Sequence, residues 1–198
     1  MGRIVVTEFV SLDGVMEAPG GGDAFKYAGW TFKIARGPEG DKFKLDETLD
    51  SEALLLGRVT YEGFAAAWPR MTDDLGFAAK FNSMPKYVVS STLKKADWNN
   101  STILGGDVVK EVSSLRKALA GNIVVHGSAQ LVQTLIEYNL VDELRLMVFP
   151  VILGSGKRLF GETSNLKRFR LTDSKTVGEG IAILIFEPAG DAANAAAS

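Results

Sequence analysis

Short runs of apolar, β-branched residues alternate with stretches of helical periodicity along the first two thirds of the chain. Such runs predict buried strands, because consecutive apolar residues suit a sheet that is covered on both faces. The predicted strands span residues 3–11, 53–56, 87–89, 102–104 and 122–125. Between them, the hydrophobic spacing predicts helices over residues 42–49, 60–67, 73–83, 108–119 and 129–138.

The last third of the chain follows a different pattern. Residues 143–148 form another predicted strand, and 169–177 and 181–187 predict an antiparallel pair joined by a glycine-rich turn. This order predicts an α/β fold in three layers, with a mostly parallel sheet, antiparallel C-terminal strands and helices on both faces. We expect one domain over residues 1–188 and disorder in the low-complexity tail 189–198.

Composition excludes more chemistry than it identifies. The 198 residues include no cysteine and one histidine, His126, which argues against thiolate or histidine-rich metal sites. A net charge of -2 without a basic run argues against nucleic-acid binding. No apolar run approaches the ~20 residues of a membrane span, and the N-terminus lacks the apolar core of a signal peptide. We therefore expect a soluble, cytoplasmic protein with no resident metal and neither nucleic acid nor membrane as a partner.

The carboxyl ends of the predicted strands carry the residues best suited to a ligand, and ligands of open α/β sheets bind beyond these ends. At Gly57 and Gly127 the chain passes directly from strand to helix, where a helix N-terminus presents free N–H groups to an anion. Arg58 adds a side chain that can bind phosphate bidentately, and residues 90–92 add three hydroxyls. The residues alone thus predict a phosphate-bearing ligand.

Three side chains near this edge have both a catalytic and a structural interpretation. Asp13, in the glycine-rich segment 12–30, is the candidate catalytic acid, although Asp-Gly pairs also cap turns. Trp30 could stack on a flat heterocycle or pack the segment in place. His126, at a strand end, could donate a proton or serve as a hydrogen-bonded structural residue.

Five segments together resemble the dihydrofolate reductase superfamily, and more closely the reductase domain of bifunctional riboflavin biosynthesis proteins and similar stand-alone bacterial proteins. They are Ser11-Leu-Asp-Gly14, Leu55-Leu-Gly-Arg-Val-Thr-Tyr61, Tyr87-Val-Val-Ser-Ser91, Val124-Val-His-Gly-Ser128 and Phe149-Pro-Val-Ile-Leu-Gly-Ser-Gly-Lys-Arg-Leu-Phe160. Their order and spacing over residues 2–187 make the match specific. The resemblance implies a dihydrofolate-reductase-like fold, an NADPH-dependent oxidoreductase and a homodimer.

The resemblance also assigns NADPH to the carboxyl edge of the sheet. It implies that Gly57, Arg58 and Thr60 hold phosphates, and that Ser90 and Ser91 line the side of the adenosine 2′-phosphate. The other cofactor residues that it implies are Gly106, Gly127, Ser128, Ala129, Gln130 and Leu131. The residues that would border the nicotinamide and the substrate are Leu12, Asp13, Gly14 and Trp30. In this family the peptide at positions 127–128 is often cis, and we expect a cis bond here.

The substrate stays open at this point. The first hypothesis is an NADPH-dependent reductase of a small pteridine- or pyrimidine-like heterocycle. The alternatives are a non-catalytic nucleotide-binding or regulatory protein, and a true 5-amino-6-(5-phosphoribosylamino)uracil reductase. Two departures bear on the choice. The riboflavin-pathway pattern Lys-x-x-x-Ser-x-Asp-Gly has Thr7 in place of its lysine, and Asp46 and Glu47 lie off the position where dihydrofolate reductases carry a pterin-binding carboxylate.

Overall fold

All eight predicted strands are present, with ends that differ from the prediction by no more than a residue or two. The computed structural model describes residues 1–22 and 24–190. The strands are β1 (Arg3–Ser11), β2 (Ser51–Gly57), β3 (Lys86–Val89), β4 (Ser101–Leu104), β5 (Asn122–Val125), β6 (Glu143–Phe149), β7 (Phe169–Val177) and β8 (Ile181–Pro188). The α-helices are α1 (Gly37–Asp50), α2 (Arg58–Ala67), α3 (Phe77–Ser83), α4 (Val108–Ala118) and α5 (Ala129–Glu137).

The strands form one sheet in the order β4-β3-β2-β5-β1-β6-β8-β7. Neighbouring strands from β4 to β6 run parallel, whereas β8 runs antiparallel to both β6 and β7. The carboxyl ends of β3, β2, β5 and β1 therefore meet along a single edge. The mostly parallel sheet with an antiparallel end confirms the predicted fold class.

Helices cover both faces of the sheet because alternate residues of each strand point to opposite layers. On β1, Ile4 lies in the same apolar cluster as Leu135 of α5, together with residues of α4. Its neighbour Val5 lies in a second cluster with Tyr61 of α2 and Phe81 of α3. The parallel strands are thus buried on both faces, which explains why their sequences are apolar without strict alternation.

Three helices begin at a different residue from the one predicted: α2 begins two residues early, and α1 and α3 differ by more. α1 begins at Gly37 rather than at residue 42, because Pro38 in the first turn already has the backbone angle of a helix. α3 begins at Phe77 rather than at residue 73. The Asp73 carboxylate accepts hydrogen bonds from the N–H groups of residues 75–78 at 2.6–3.0 Å, so this aspartate caps the helix from outside it.

The segment between β1 and α1 is folded back on itself by side-chain to backbone hydrogen bonds. Trp30 Nε1 donates to the Glu17 carbonyl at 2.9 Å, and Thr31 Oγ1 donates to the Pro19 carbonyl at 2.7 Å.

The predicted disorder of the tail falls mainly on residues 191–198, which lie outside the described residues. Within the described residues, no helix is long and apolar enough to cross a bilayer, and no group of three acidic or histidine side chains could hold a metal ion.

Candidate functional site

The two strand-to-helix turns predicted from the glycines lie side by side, since β2 and β5 are neighbours in the sheet. The Gly57 N–H donates to the Gly127 carbonyl at 3.1 Å, which joins the turns directly. A Cβ at position 57 would collide with the Ser128 hydroxyl and come within 3.0 Å of the Ser128 Cβ and N. The Gly127–Ser128 peptide is cis, as expected from the resemblance. The close contact between the turns therefore requires glycine at position 57.

Both turns lead into helices whose N-termini carry no side-chain cap. The N-cap residue of α2 is Gly57 and that of α5 is Ser128, and neither makes a capping hydrogen bond from its side chain. The first N–H groups of a helix have no partner within the helix, and the helix dipole adds a partial positive charge there. Two uncapped N-termini on adjacent strands give this edge the chemistry of an anion site.

A cleft of about 390 Å³ opens between these helix starts and the ends of β3 and β4. Eight of the eleven residues predicted to bind the cofactor line it: Gly57, Arg58, Ser90, Ser91, Gly106, Ser128, Gln130 and Leu131. The other three, Thr60, Gly127 and Ala129, are not among its lining residues. Thr60 Oγ1 nevertheless lies only 3.1 Å from the point that a Cβ at position 127 would occupy, so the Thr60 side chain lies beside the Gly127 turn.

Arg58 and Ser90 already have partners within the chain. The Arg58 guanidinium donates to both carboxylate oxygens of Glu62, at 2.9 and 3.1 Å, across one turn of α2. The Ser90 hydroxyl accepts from the N–H of Leu93 at 2.9 Å and orders the turn after β3. The Arg58–Glu62 pair is about half exposed, which leaves the guanidinium able to exchange a carboxylate for a phosphate.

A wider cavity of about 660 Å³ lies on the other side of α2. It is lined by Tyr61, Trp98 and Asn82, among others, and by Lys95, whose ammonium pairs with Asp97 at 2.6 Å. Lys95 therefore contributes to this cavity and not to the walls of the cleft.

Residues 3–183 of this chain match the family model of the RibD C-terminal domain. The chain is a member of the RibD C-terminal domain family. The YyaP protein of Bacillus subtilis (strain 168) is 27% identical over 187 residues, which cover 93% of this chain and 94% of YyaP. The YwjB protein of the same organism is 27% identical over 72% of this chain and 78% of its own length.

Solved structures similar to this family member share its fold. A riboflavin biosynthesis protein from Shewanella sp. PV-4 superposes with a TM-score of 0.76 at 19% identity, covering 94% of this chain and 99% of that one. Dihydrofolate reductase from Enterococcus faecalis, complexed with NADP(H) and RAB-propyl, gives a TM-score of 0.61 at 17% identity, with 94% and 96% coverage. The fold is therefore dihydrofolate-reductase-like, as the sequence predicts.

Asp13, in the family's Ser-x-Asp-Gly segment, is held by a set of hydrogen bonds that favours its structural interpretation. Its carboxylate accepts from the Ser11 hydroxyl at 2.6 Å and from the N–H groups of Leu153 and Gly154 at 3.1 and 2.8 Å. These bonds, that of Ser11 first, lower the pKa of Asp13 to about 2. At neutral pH the carboxyl is ionised and has no proton to donate, so it ties the turn to residues 153–154.

The position of Trp30 favours the second of its two interpretations, in which it packs the segment in place. The side chain is 2% exposed and packs edge-on against Phe149, with ring centroids 5.3 Å apart. It therefore anchors the long segment to the core. The two other predicted substrate-side residues remain accessible in part: Leu12 is 61% exposed, and Gly14 forms the turn with a φ of 79°.

A buried polar cluster between β1, α1 and β6 is a feature that the sequence did not predict. Lys44 Nζ donates to Thr7 Oγ1 at 2.9 Å and to Glu47 Oε1, which also accepts from Thr7 at 3.0 Å. Arg145 reaches the other Glu47 oxygen at 3.4 Å. Where the riboflavin-pathway pattern has lysine, this chain has Thr7 with the ammonium of Lys44 beside it. Burial raises the pKa of Glu47, but the charge and hydrogen bond of Lys44 and the charge of Arg145 lower it, and the net shift is downward.

His126 is half-buried and packs against aromatic rings, with centroids 5.7 Å from Phe64 and 5.8 Å from Phe81. Burial and, secondarily, the Lys44 charge lower the pKa of His126 to about 3. The imidazole is therefore neutral near pH 7 and cannot act there as an acid, which favours its structural interpretation.

Glu8 is the functional candidate that sequence reasoning missed. It is 6% exposed, and its Oε1 has no hydrogen-bond partner among the described residues. The signal was a carboxylate in a strand, Ile4 to Val10, whose other residues are apolar except for Thr7. A charged residue buried in a strand is uncommon unless it is paired or functional.

Proposed function

We propose that this protein is an NADPH-dependent reductase of a small, flat heterocycle of the pteridine or pyrimidine class. The observation that carries the proposal is the cleft in which two uncapped helix starts, Arg58 and two serines converge at one sheet edge. Membership of the RibD C-terminal domain family and the dihydrofolate-reductase-like fold support a reductase-type function. The cofactor itself supplies the hydride, and the protein supplies position and electrostatics.

The residues present fit a phosphorylated dinucleotide. The first-turn N–H groups of α2 and α5 would hold the pyrophosphate, because both helix starts line the same cleft. Arg58 would exchange Glu62 for a phosphate oxygen, and Ser90 and Ser91 would lie at the adenosine 2′-phosphate. The space at Gly127, which any side chain would fill, allows a ligand to approach the backbone closely.

The contacts of two carboxylates support a second candidate function, a nucleotide-binding protein that performs no reaction. At the substrate side, the Asp13 carboxylate is ionised and accepts hydrogen bonds from two backbone N–H groups, and the Glu47 carboxylate is paired with Lys44. Neither carboxyl is available to bind a pterin ring or to protonate it. A riboflavin-pathway reductase proper is a third candidate, and it requires turnover of the ribosylaminopyrimidine substrate.

Cofactor binding and hydride transfer separate these candidates. Quenching of tryptophan fluorescence would be titrated with NADPH and, in parallel, with NADH; we expect NADPH to bind more tightly. NADPH oxidation would then be followed with a panel of dihydropteridines, 5-aminouracil derivatives and the ribosylaminopyrimidine. Oxidation dependent on one of them supports the reductase and names its substrate class. Binding without oxidation by any of them supports the second candidate, and no binding of NADPH excludes the reductase.

A further inference from the structure

The Glu8 carboxyl lies level with the Gly127 turn. Val6 of β1 pairs with Val125, the last residue of β5, so Glu8 lies beyond the end of β5, where the chain turns at Gly127. Glu8 Oε1 is 3.8 Å from the point that a Cβ at position 127 would occupy, and Thr60 Oγ1 and the terminal methyl of Met16 are 3.1 and 3.4 Å from the same point. The carboxyl therefore lies beside the Gly127 turn, next to Thr60 and Met16.

The order of the strands indicates which part of a dinucleotide would reach this turn. The serines at the end of β3 lie at one end of the cleft, and the helix starts after β2 and β5 lie in its middle. β1 is the next strand beyond β5. A dinucleotide with its 2′-phosphate at Ser90 and its pyrophosphate between α2 and α5 therefore extends its nicotinamide end toward β1, where Glu8 lies.

We propose that the Glu8 carboxyl binds the carboxamide of the nicotinamide ring. The inference rests on the proposed function, since it requires that the cleft binds NADPH. A carboxylic acid and a primary amide are complementary, because each offers one donor and one acceptor in the same plane. The acid O–H donates to the carboxamide oxygen, and the carboxamide N–H donates to the acid carbonyl. This pairing satisfies Oε1, and the flexible Met16 side chain moves aside.

The pairing requires the neutral acid, and the surroundings of Glu8 favour that form. Burial raises the pKa of Glu8 well above its ordinary value; Lys44 opposes this shift and Glu47 adds to it. The other ionisable groups nearby do not supply a free cation: Lys44 and Arg145 are both engaged with Glu47, and His126 is neutral near pH 7. As pH rises through the raised pKa, the carboxyl loses its donor, so the affinity for NADPH falls.

The test compares two ligands on four proteins, wild type and three variants. NADPH and 2′-phospho-ADP-ribose share the adenosine and phosphates, but only NADPH has a nicotinamide ring. In Glu8→Leu we expect NADPH affinity to fall about fivefold to tenfold, the effect of one or two net hydrogen bonds, while 2′-phospho-ADP-ribose binds as to wild type. Glu8→Gln keeps a donor and an acceptor and cannot ionise, so we expect it to bind NADPH without the loss of affinity that wild type shows as pH rises. Glu39→Leu, an exposed carboxylate of α1, serves as the matched control.

Each outcome decides a separate point. Equal NADPH affinity of Glu8→Leu and wild type overturns the role of Glu8 and leaves the proposed function standing. An equal loss of affinity for both ligands also overturns it, because the effect then does not depend on the ring. A pH dependence retained in Glu8→Gln shows that another group titrates. Failure of the wild type to bind either ligand overturns the proposed function itself.

Discussion

Gly57 and Gly63 lie six residues apart in the chain and differ in whether a side chain would fit at their position. A methyl group at position 57 meets Ser128, whereas one at position 63, on the solvent side of α2, meets nothing within 4 Å. The contact at position 57 is with a rigid turn, so relief requires backbone movement. The pair therefore separates a glycine needed for packing from one that is only tolerated.

We expect Gly57→Ala to lower the melting temperature and to weaken NADPH binding, because the start of α5 must move. Gly63→Ala, its matched control, should stabilise the protein by about 0.5–1 kcal/mol, since alanine in a helix interior loses less entropy than glycine. Thermal unfolding and NADPH titration of both variants measure the two effects. Wild-type behaviour of Gly57→Ala would show that the two turns are not packed as described.

Arg58 provides a second contrast at this scale. If it exchanges Glu62 for a phosphate, Arg58→Ala should lose about 1.5–3 kcal/mol of NADPH binding free energy, the contribution of a charge-assisted hydrogen bond. Glu62→Gln removes the competing carboxylate and should bind NADPH at least as tightly as wild type. Isothermal titration of both variants gives the comparison, and unchanged affinity of a folded Arg58→Ala protein removes Arg58 from the site.

At the scale of the element, α3 shows how a single side chain sets a helix start. Asp73 accepts from four successive N–H groups, and these bonds, that of Ala78 first, lower its pKa. The sequence predicts Asp73 or Thr72 as the cap of a helix over 73–83, and the capping role of Asp73 is confirmed. The helix itself begins four residues later, because sequence periodicity does not distinguish the capped turn from the first helical turn. The cap holds the segment that leads from α2 into α3.

Replacement of this cap should lower stability without affecting the cleft. We expect Asp73→Ala to reduce the melting temperature and Asp74→Ala, one residue along, to leave it close to wild type. NADPH affinity should not change in either variant, because α3 contributes no residue to the cleft walls. Equal melting temperatures for the two variants would contradict the capping role of Asp73.

At the scale of the whole molecule, the buried ionisable groups predict how stability depends on pH. His126 has a pKa of about 3 in the folded state and an ordinary pKa of about 6.5 when unfolded. The unfolded chain therefore binds a proton that the folded protein does not, and stability is lost as pH falls below about 6.5. The lowered pKa of Glu47 acts in the same direction, below about pH 4.3.

We expect His126 to contribute a loss of stability between about pH 6.5 and pH 4, with a slope of at most about 1.4 kcal/mol per pH unit. The raised pKa of Glu8 acts in the opposite direction, because the folded protein then binds a proton that the unfolded chain releases, so the His126 contribution is measured as a difference between variants. His126→Phe, which keeps an aromatic ring beside Phe64 and Phe81, should remove that contribution. Urea unfolding over this pH range measures the difference. Parallel pH profiles for the two proteins would show that His126 is not held neutral.

The homodimer implied by the family resemblance stays a prediction. Residues 149–160, one of the segments that carry the resemblance, expose Ile152 and Phe160 at 75% and 53% of their surface. Large exposed apolar side chains are common at interfaces. Sedimentation velocity of the intact chain decides the question, and a monomer at micromolar concentration would contradict the prediction.

The amino-acid sequence by itself determined the order of the strands and helices along the chain and the glycine turns at residues 57 and 127. It also determined that these turns lie at the carboxyl edge of the sheet. These are local matters, because apolar runs, helical spacing and strand-to-helix glycines depend on neighbours in the chain. The tertiary structure decided the partners of side chains that are distant in sequence. Trp30 is buried in the core, Asp13 accepts hydrogen bonds from residues 153–154, and Lys44 donates to Thr7. It also brought Glu8 level with Gly127, 119 positions away in the chain. Burial and charge depend on what the fold places around a residue, so neither the neutral state of His126 nor the unpaired carboxyl of Glu8 could be predicted from spacing.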